Sequence, residues 1–209
     1  MRPRFLLARA GATNIQARSS KSKNMPLTKL DANAALVVID LQKGIIGLPT
    51  VHPAGEIVGR ASELARAFRS QRLPVVLVHV TGAAPGRTDA GVPNVTRPAD
   101  WAELADELEH HPDDLIIAKQ RWGAFLGTDL DQYLRQRGVT QIVIAGISTS
   151  AGVESTARSA YDLGYNVVLV TDAITDRDAD AHRLTVEKIF PRLGETDNTA
   201  TVLKLLGSR

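Results

Sequence analysis

Ala34-Ala35-Leu36-Val37-Val38-Ile39-Asp40 is a run of six apolar residues that stops on a carboxylate. A continuous apolar run, rather than an alternating one, marks a strand buried on both faces, as in a parallel sheet covered by helices. The signature recurs outward along the chain, in Val75-Val76-Leu77-Val78-His79-Val80, in Leu115-Ile116-Ile117-Ala118 before Lys119, in Gln141-Ile142-Val143-Ile144-Ala145, and from Asn166 to Val170. Helical spacing fills the intervals. Ile57, Ala61, Leu64, Ala65 and Phe68 recur every three or four residues before Pro74, and Thr128 to Asp131 opens a helix with capping-box spacing that Gly138 closes. A further helix runs from Val153 through Ala157 and Ala160 to Gly164, and Asp172 to Asp180 reads as a polar turn. A helix over about Ala181 to Phe190 and a last strand-helix pair finish the chain. The fold class is α/β: a three-layer, doubly wound, mostly parallel sheet with helices on both faces.

Composition narrows the chemistry. With 209 residues, 44% of them hydrophobic, the chain can bury one substantial core, and no run reaches the roughly 18 apolar residues of a membrane span. There is no cysteine, which removes disulfides, thiolate metal sites and thiol catalysis together and fits a reducing, cytoplasmic interior. Arg2, Arg4, Arg9, Arg18, Lys21 and Lys23 give the first 28 residues a charge of +6 against +2 for the whole chain, so the body is net acidic. Residues 1–28 therefore read as a basic leader: a disordered extension ahead of a working start at Met25, or a mitochondrial transit segment, with the folded domain at 29–209. The body has no basic stripe with interleaved aromatics, so nucleic acid is not an expected partner.

Parallel strands joined by right-handed crossovers bring their carboxyl ends to one edge, outside which ligands bind. Asp40, His79, Lys119 and the Ser148-Thr149-Ser150-Ala151-Gly152 segment should converge there. Part-burial would raise the Asp40 pKa and suit it to general acid work, while the Lys119 ammonium would pull that pKa down and orient the carboxylate or a substrate oxygen. Each has an ordinary reading, as a turn cap and as a surface lysine. The Ser148 to Gly152 segment joins a strand to a helix, so Ser148, Thr149 and Ser150 either cap that helix or help backbone N–H groups near Gly152 hold an anion. Gly146-Ile147-Ser148-Thr149-Ser150 lacks the second glycine of a nucleophile elbow, which argues against a seryl nucleophile. Gln42, His79, Trp122 and Phe125 complete a substrate-binding set, although Trp122 and Phe125 could equally pack under the next helix. Arg87, in the Gly- and Pro-rich loop from Thr81, could bind a carboxylate. The five histidines show no metal spacing, so neither a metal nor another cofactor is expected.

Three segments carry a resemblance. Leu36 to Gln42, Ala118-Lys119-Gln120-Arg121-Trp122-Gly123-Ala124-Phe125 with Gly127 to Leu130, and Ala145-Gly146-Ile147 through Val153 to Arg158 with Tyr161 to Tyr165 and Thr171-Asp172-Ala173 resemble, in order, three motifs of the isochorismatase-like superfamily, also called the cysteine-hydrolase family. The resemblance covers essentially Leu30 to Leu206. It implies an aspartate and a lysine acting with a nucleophilic cysteine, but the position of that cysteine is Gly152 here. True isochorismatases are similar at this point, having glycine there and cleaving a vinyl ether without a covalent intermediate. The implied roles are protonation of an enol-ether carbon by Asp40, attack by water on the oxocarbenium ion, and positioning by Lys119, with pyruvate leaving. A cis peptide near Ile147-Ser148 and self-association into a homo-oligomer are also implied. Two departures stand against a full match: Thr81 to Arg87 does not match the glutamine-bearing loop of authentic isochorismatases, and an added carrier domain is not expected; nor does His79 lie within the Asp-x-His pattern of the metal-binding nicotinamidases, so the resemblance implies no zinc. The expectation is a hydrolase acting on a small anionic substrate by direct water attack. A cysteine-independent C–N hydrolase and a catalytically silent binding protein are the alternatives.

Overall fold

The computed structural model describes residues 27–89, 91 and 97–208; the basic leader, up to residue 26, lies outside them. Strands β1 (Ala34–Ile39), β2 (Val75–Val80), β3 (Leu115–Lys119), β4 (Gln141–Ile147), β5 (Asn166–Thr175) and β6 (Glu195–Asp197) alternate with helices α1 (Lys43–Ile46), α2 (Ala54–Ser70), α3 (Leu130–Gln136), α4 (Glu154–Asp162), α5 (Ala179–Leu184) and α6 (Thr199–Gly207). The strands form one sheet in the order β3-β2-β1-β4-β5-β6, and every pairing is parallel. The first strand in the chain is therefore central. The order reverses between β1 and β4, which opens the crevice where α/β sheets bind ligands.

Alternation along each strand sends its residues to two cores. Leu36 and Val38 of β1 pack with Val75 and Leu77 of β2 beneath α2 and α6, while Val37 and Ile39 pack with Val76, Val78 and Ile117 beneath α3 and α4. The helix stripe Ile57, Ala61, Leu64, Ala65 and Phe68 is buried as its spacing requires.

Three local readings are corrected. β5 continues through Thr175, so the polar turn begins only at Asp176; Thr171 and Asp172 lie inside the strand, where its register with β4 shifts. The helix expected over Ala181 to Phe190 divides into α5, a wide turn of π type over Thr185–Ile189 and a tight 3-10 turn over Phe190–Arg192. The capping box at Thr128 does not form, because the helix starts one residue later on Asp129. Thr128 instead bonds the Ala124 carbonyl and the Leu130 amide, and Asp131 accepts from Tyr165 and Arg135. Among the described residues no helix is long and apolar enough to cross a membrane.

Gly146 shows how closely β1 and β4 approach at the site. Its φ of +125° is open to glycine and strained for side chains, and a Cβ there would meet the Ile39 backbone, its nitrogen at 2.6 Å. Gly146→Ala should cost more than about 3 kcal/mol, since neither backbone can yield without breaking the central pairing. Thermal unfolding would measure the loss; a variant within a few degrees of wild type would mean the strands can separate.

Candidate active site

Asp40 directly follows β1 with φ at +52°. Aspartate tolerates this left-handed conformation better than most residues. Strand alternation would send Asp40 to the α2 face with Val38, but the turn re-aims its carboxylate toward Ile39's side, where Lys119 and Gly152 stand. Lys119 arrives on the same face as Ile117. Its Nζ donates to Asp40 Oδ2 at 2.7 Å and to the carbonyls of Trp122 and Arg121 at 2.9 and 3.2 Å. Those three bonds use all three ammonium protons, so Lys119 is committed to orienting Asp40.

Only 5% of Asp40 and 2% of Lys119 are exposed, and Asp40 Oδ1 is a buried oxygen without a hydrogen-bond partner among the described residues. Burial pushes the Asp40 carboxyl up to about 6; Lys119, through charge and hydrogen bond, and His79, through charge, pull the other way. One oxygen is thus held and the other is free to carry or take a proton near neutral pH.

Gly152 completes the arrangement. It is buried in a π-type turn over Thr149–Val153, and a Cβ there would lie 2.9 Å from Ile39 Cγ2 and 3.1 Å from Asp40 Oδ2. The absent side chain lets the turn close up directly against the carboxylate. The peptide between Ile147 and Ser148 is cis, as the resemblance implies.

The structure distributes the remaining candidates differently. Gln42 is fully buried and spent on the scaffold: its amide donates to the Val80 and Trp101 carbonyls and accepts the Val80 N–H at 2.7 Å. His79 follows Val75 and Leu77 to the opposite face from Lys119, where its Nδ1–H donates to the Ala102 carbonyl at 2.7 Å beside a cleft of about 560 Å³. It therefore reaches Asp40 through its field rather than by contact. Phe125 packs into the core against Tyr165, with ring centroids 5.9 Å apart, so of its two readings the packing one holds. Trp122 is 70% exposed, while its carbonyl serves Lys119. Arg87 lies exposed in the loop after β2, without a partner among the described residues.

Within the Ser148 to Gly152 segment several groups already have partners in the protein. Asp176 Oδ2 accepts from the Ser150 N–H at 2.7 Å and hydroxyl at 2.8 Å, and its Oδ1 accepts from the Arg177 and Asp178 amides. The Ala151 and Val153 amides return to the Ser148 carbonyl, and Thr149 Oγ1 meets His182 Nδ1 at 2.9 Å. Asp176 and His182 were missed because the first sat in an unremarkable polar run and the second in no motif. Thr156 was missed as well: its hydroxyl donates to the Gly152 carbonyl at 2.6 Å and accepts the Ala124 N–H, tying the Gly152 turn to the loop after Lys119. Among the described residues no three His, Cys, Asp or Glu side chains are placed to hold a metal ion.

Comparison with known proteins agrees with this fold. An isochorismatase domain model matches residues 34–201. The isochorismatase family protein YecD of Escherichia coli O157:H7 is 42% identical over 189 residues, covering 85% of this chain and all of that protein. The solved structure of an isochorismatase family protein from Burkholderia thailandensis superposes with a TM-score of 0.82 at 43% identity, covering 86% of this chain and 98% of the other. More distantly, the ureidoacrylate amidohydrolase RutB of Pseudomonas savastanoi pv. phaseolicola is 26% identical over 226 residues, covering 91% of this chain and 92% of its own.

Proposed function

The chain belongs to the isochorismatase family of hydrolases, and on that premise we propose that it cleaves a small anionic substrate by direct attack of water, with an isochorismate-like vinyl ether as the leading class. The observation that carries this reading is Asp40 beside Gly152: a carboxyl with Oδ2 held by Lys119 and Oδ1 without a hydrogen-bond partner among the described residues, packed against a turn whose glycine carries no nucleophilic side chain. In this mechanism the Asp40 carboxyl protonates the terminal enol-ether carbon, and Lys119 stabilises the carboxylate left behind. Water adds to the oxocarbenium ion and returns its proton to Asp40. Collapse of the hemiketal then releases pyruvate and the ring alcohol.

A second reading, hydrolysis of a C–N bond, is favoured by the likeness to an amidohydrolase. It too would need water, because the Ser150 hydroxyl is donated to Asp176. Parallel assays of pyruvate from isochorismate and of ammonia from a panel of small amides separate the two. Pyruvate supports the first reading and ammonia alone moves the chain to the second. Neither product with intact ligand binding would indicate a silent pocket. The proposal also takes the protein to be cytoplasmic, or mitochondrial should residues 1–28 act as a transit segment, and to self-associate, with exposed Trp122 and Leu126 as apolar contact surface.

The pH profile follows from Asp40's role as an acid. With its pKa near 6, kcat/KM should be level below pH 6 and fall tenfold per pH unit above it, since only the protonated carboxyl donates. A rate that instead rises through pH 6 would make Asp40 a base and favour amide chemistry.

A further inference from the structure

The turn that carries Gly152 is braced from behind by side chains that no step above uses. Its π-type geometry, with the Val153 N–H reaching the Ser148 carbonyl at 3.1 Å, is less common than an α turn and is usually held by its surroundings. Asp176 holds Ser150. The preceding residue, Thr149, is wholly buried, and His182 on α5 is its hydroxyl's partner, 2.9 Å away. The His182 ring meets the exposed ring of His52 edge-on, with centroids 4.9 Å apart, and His52 is itself fixed through Thr175, whose hydroxyl accepts its N–H at 3.0 Å. A continuous line of contacts therefore runs from the surface at His52, through His182 and Thr149, to the turn beside Asp40.

We infer that His182 is a positioning residue for the hydrolytic reaction: through Thr149 it fixes the turn that sets Gly152 against Asp40, and with it the placement of the carboxyl relative to a substrate. The inference rests on the reading of Asp40 as the reacting group. His182 touches neither substrate nor Asp40, so its loss shows in the rate rather than in affinity. A displacement of about 1 Å at a reacting pair is worth roughly 100-fold; the loss of one brace, with Asp176 still in place, should lower kcat by about 30-fold while KM stays within about twofold.

The test is a set of variants measured for kcat, KM and amide hydrogen exchange across residues 148–153. His182→Ala and Thr149→Val should each lose about 30-fold in kcat, and the double variant should lose no more than either alone, because both cut one link. His182→Asn places an amide atom near the lost Nδ1 and should restore most of the rate; Thr149→Ser, which keeps the hydroxyl, should do the same. Exchange should rise in the two damaging variants and stay at wild-type rates in the two conservative ones. Additive losses, an unrescued His182→Asn or a His182→Ala within twofold of wild type would each overturn the inference. Exchange also separates this inference from the substrate reading. If wild type hydrolyses nothing on the panel, raised exchange in His182→Ala keeps the brace and removes the substrate reading; unchanged exchange removes the brace whatever the substrate.

Discussion

Asp40→Ala should lower turnover by at least about 10³-fold, because it removes the proposed proton donor and leaves the Lys119 ammonium buried beside a void. General acid catalysis alone contributes roughly 10² to 10⁴-fold, and here no neighbouring acid stands in: Ser150 is committed to Asp176, and His79 leaves the sheet on its other face. Asp40→Asn is the sharper variant. Its amide oxygen can still accept from Lys119, so the pocket keeps its shape and binds substrate, but the side chain cannot deliver a carboxyl proton. Substrate should remain intact on this variant over many wild-type turnover times, as read by mass spectrometry or by pyruvate release. Turnover by Asp40→Asn at the wild-type rate would remove Asp40 from the mechanism.

Lys119→Met produces the second large effect, on stability as much as on rate. The ammonium is the counterion of a carboxylate that is 5% exposed, and removing one partner of a buried pair typically costs about 3 to 5 kcal/mol. The loss depends on pH in a defined direction. In wild type the folded carboxyl titrates near 6 against 3.8 as its ordinary value, so ionising it costs ~3 kcal/mol of stability as pH rises through that interval. Without Lys119 the opposing charge and hydrogen bond are gone, so the folded pKa rises further and the interval widens upward. Lys119→Met should therefore be close to wild type near pH 4.5, where the carboxyl is neutral in both, and several kcal/mol weaker at pH 8. Adding Asp40→Asn should recover most of the pH 8 loss, since neither charge then remains. Denaturant unfolding at the two pH values measures this. A deficit equal at both would mean that lost packing, rather than an orphaned charge, explains the variant.

Five of the six strands and their common edge were legible because buried parallel strands are written as uninterrupted apolar runs, whereas β6, Glu195-Thr196-Asp197, carries no such run; Asp40 and Lys119 were legible because polar groups that end such runs lie on the ligand edge. What was not legible depends on single torsions and on satisfaction of polar groups. The left-handed turn at Asp40 is invisible in composition, yet it decides which face the carboxylate takes. Gln42 was placed with the substrate-binding residues because it follows Asp40 closely, but the buried backbone of β2 and of Trp101 claims both ends of its amide. That Asp176, 26 residues after Ser150, takes the Ser150 amide was hidden for the same reason. His79 shares the site's sheet edge but not its face, a distinction that needs strand parity counted from a known buried residue.

The central place of β1 bears on how this protein is made. Asp40 leaves the ribosome 79 residues before Lys119, and β1 gains its second neighbour only when β4, beginning at Gln141, has followed. Until then one edge of an entirely apolar strand is open, and such edges pair with other chains. The pocket around Asp40 and Lys119 therefore cannot assemble until β4 and the Gly152 turn have been made, and chains released before then would lack it and be prone to aggregate.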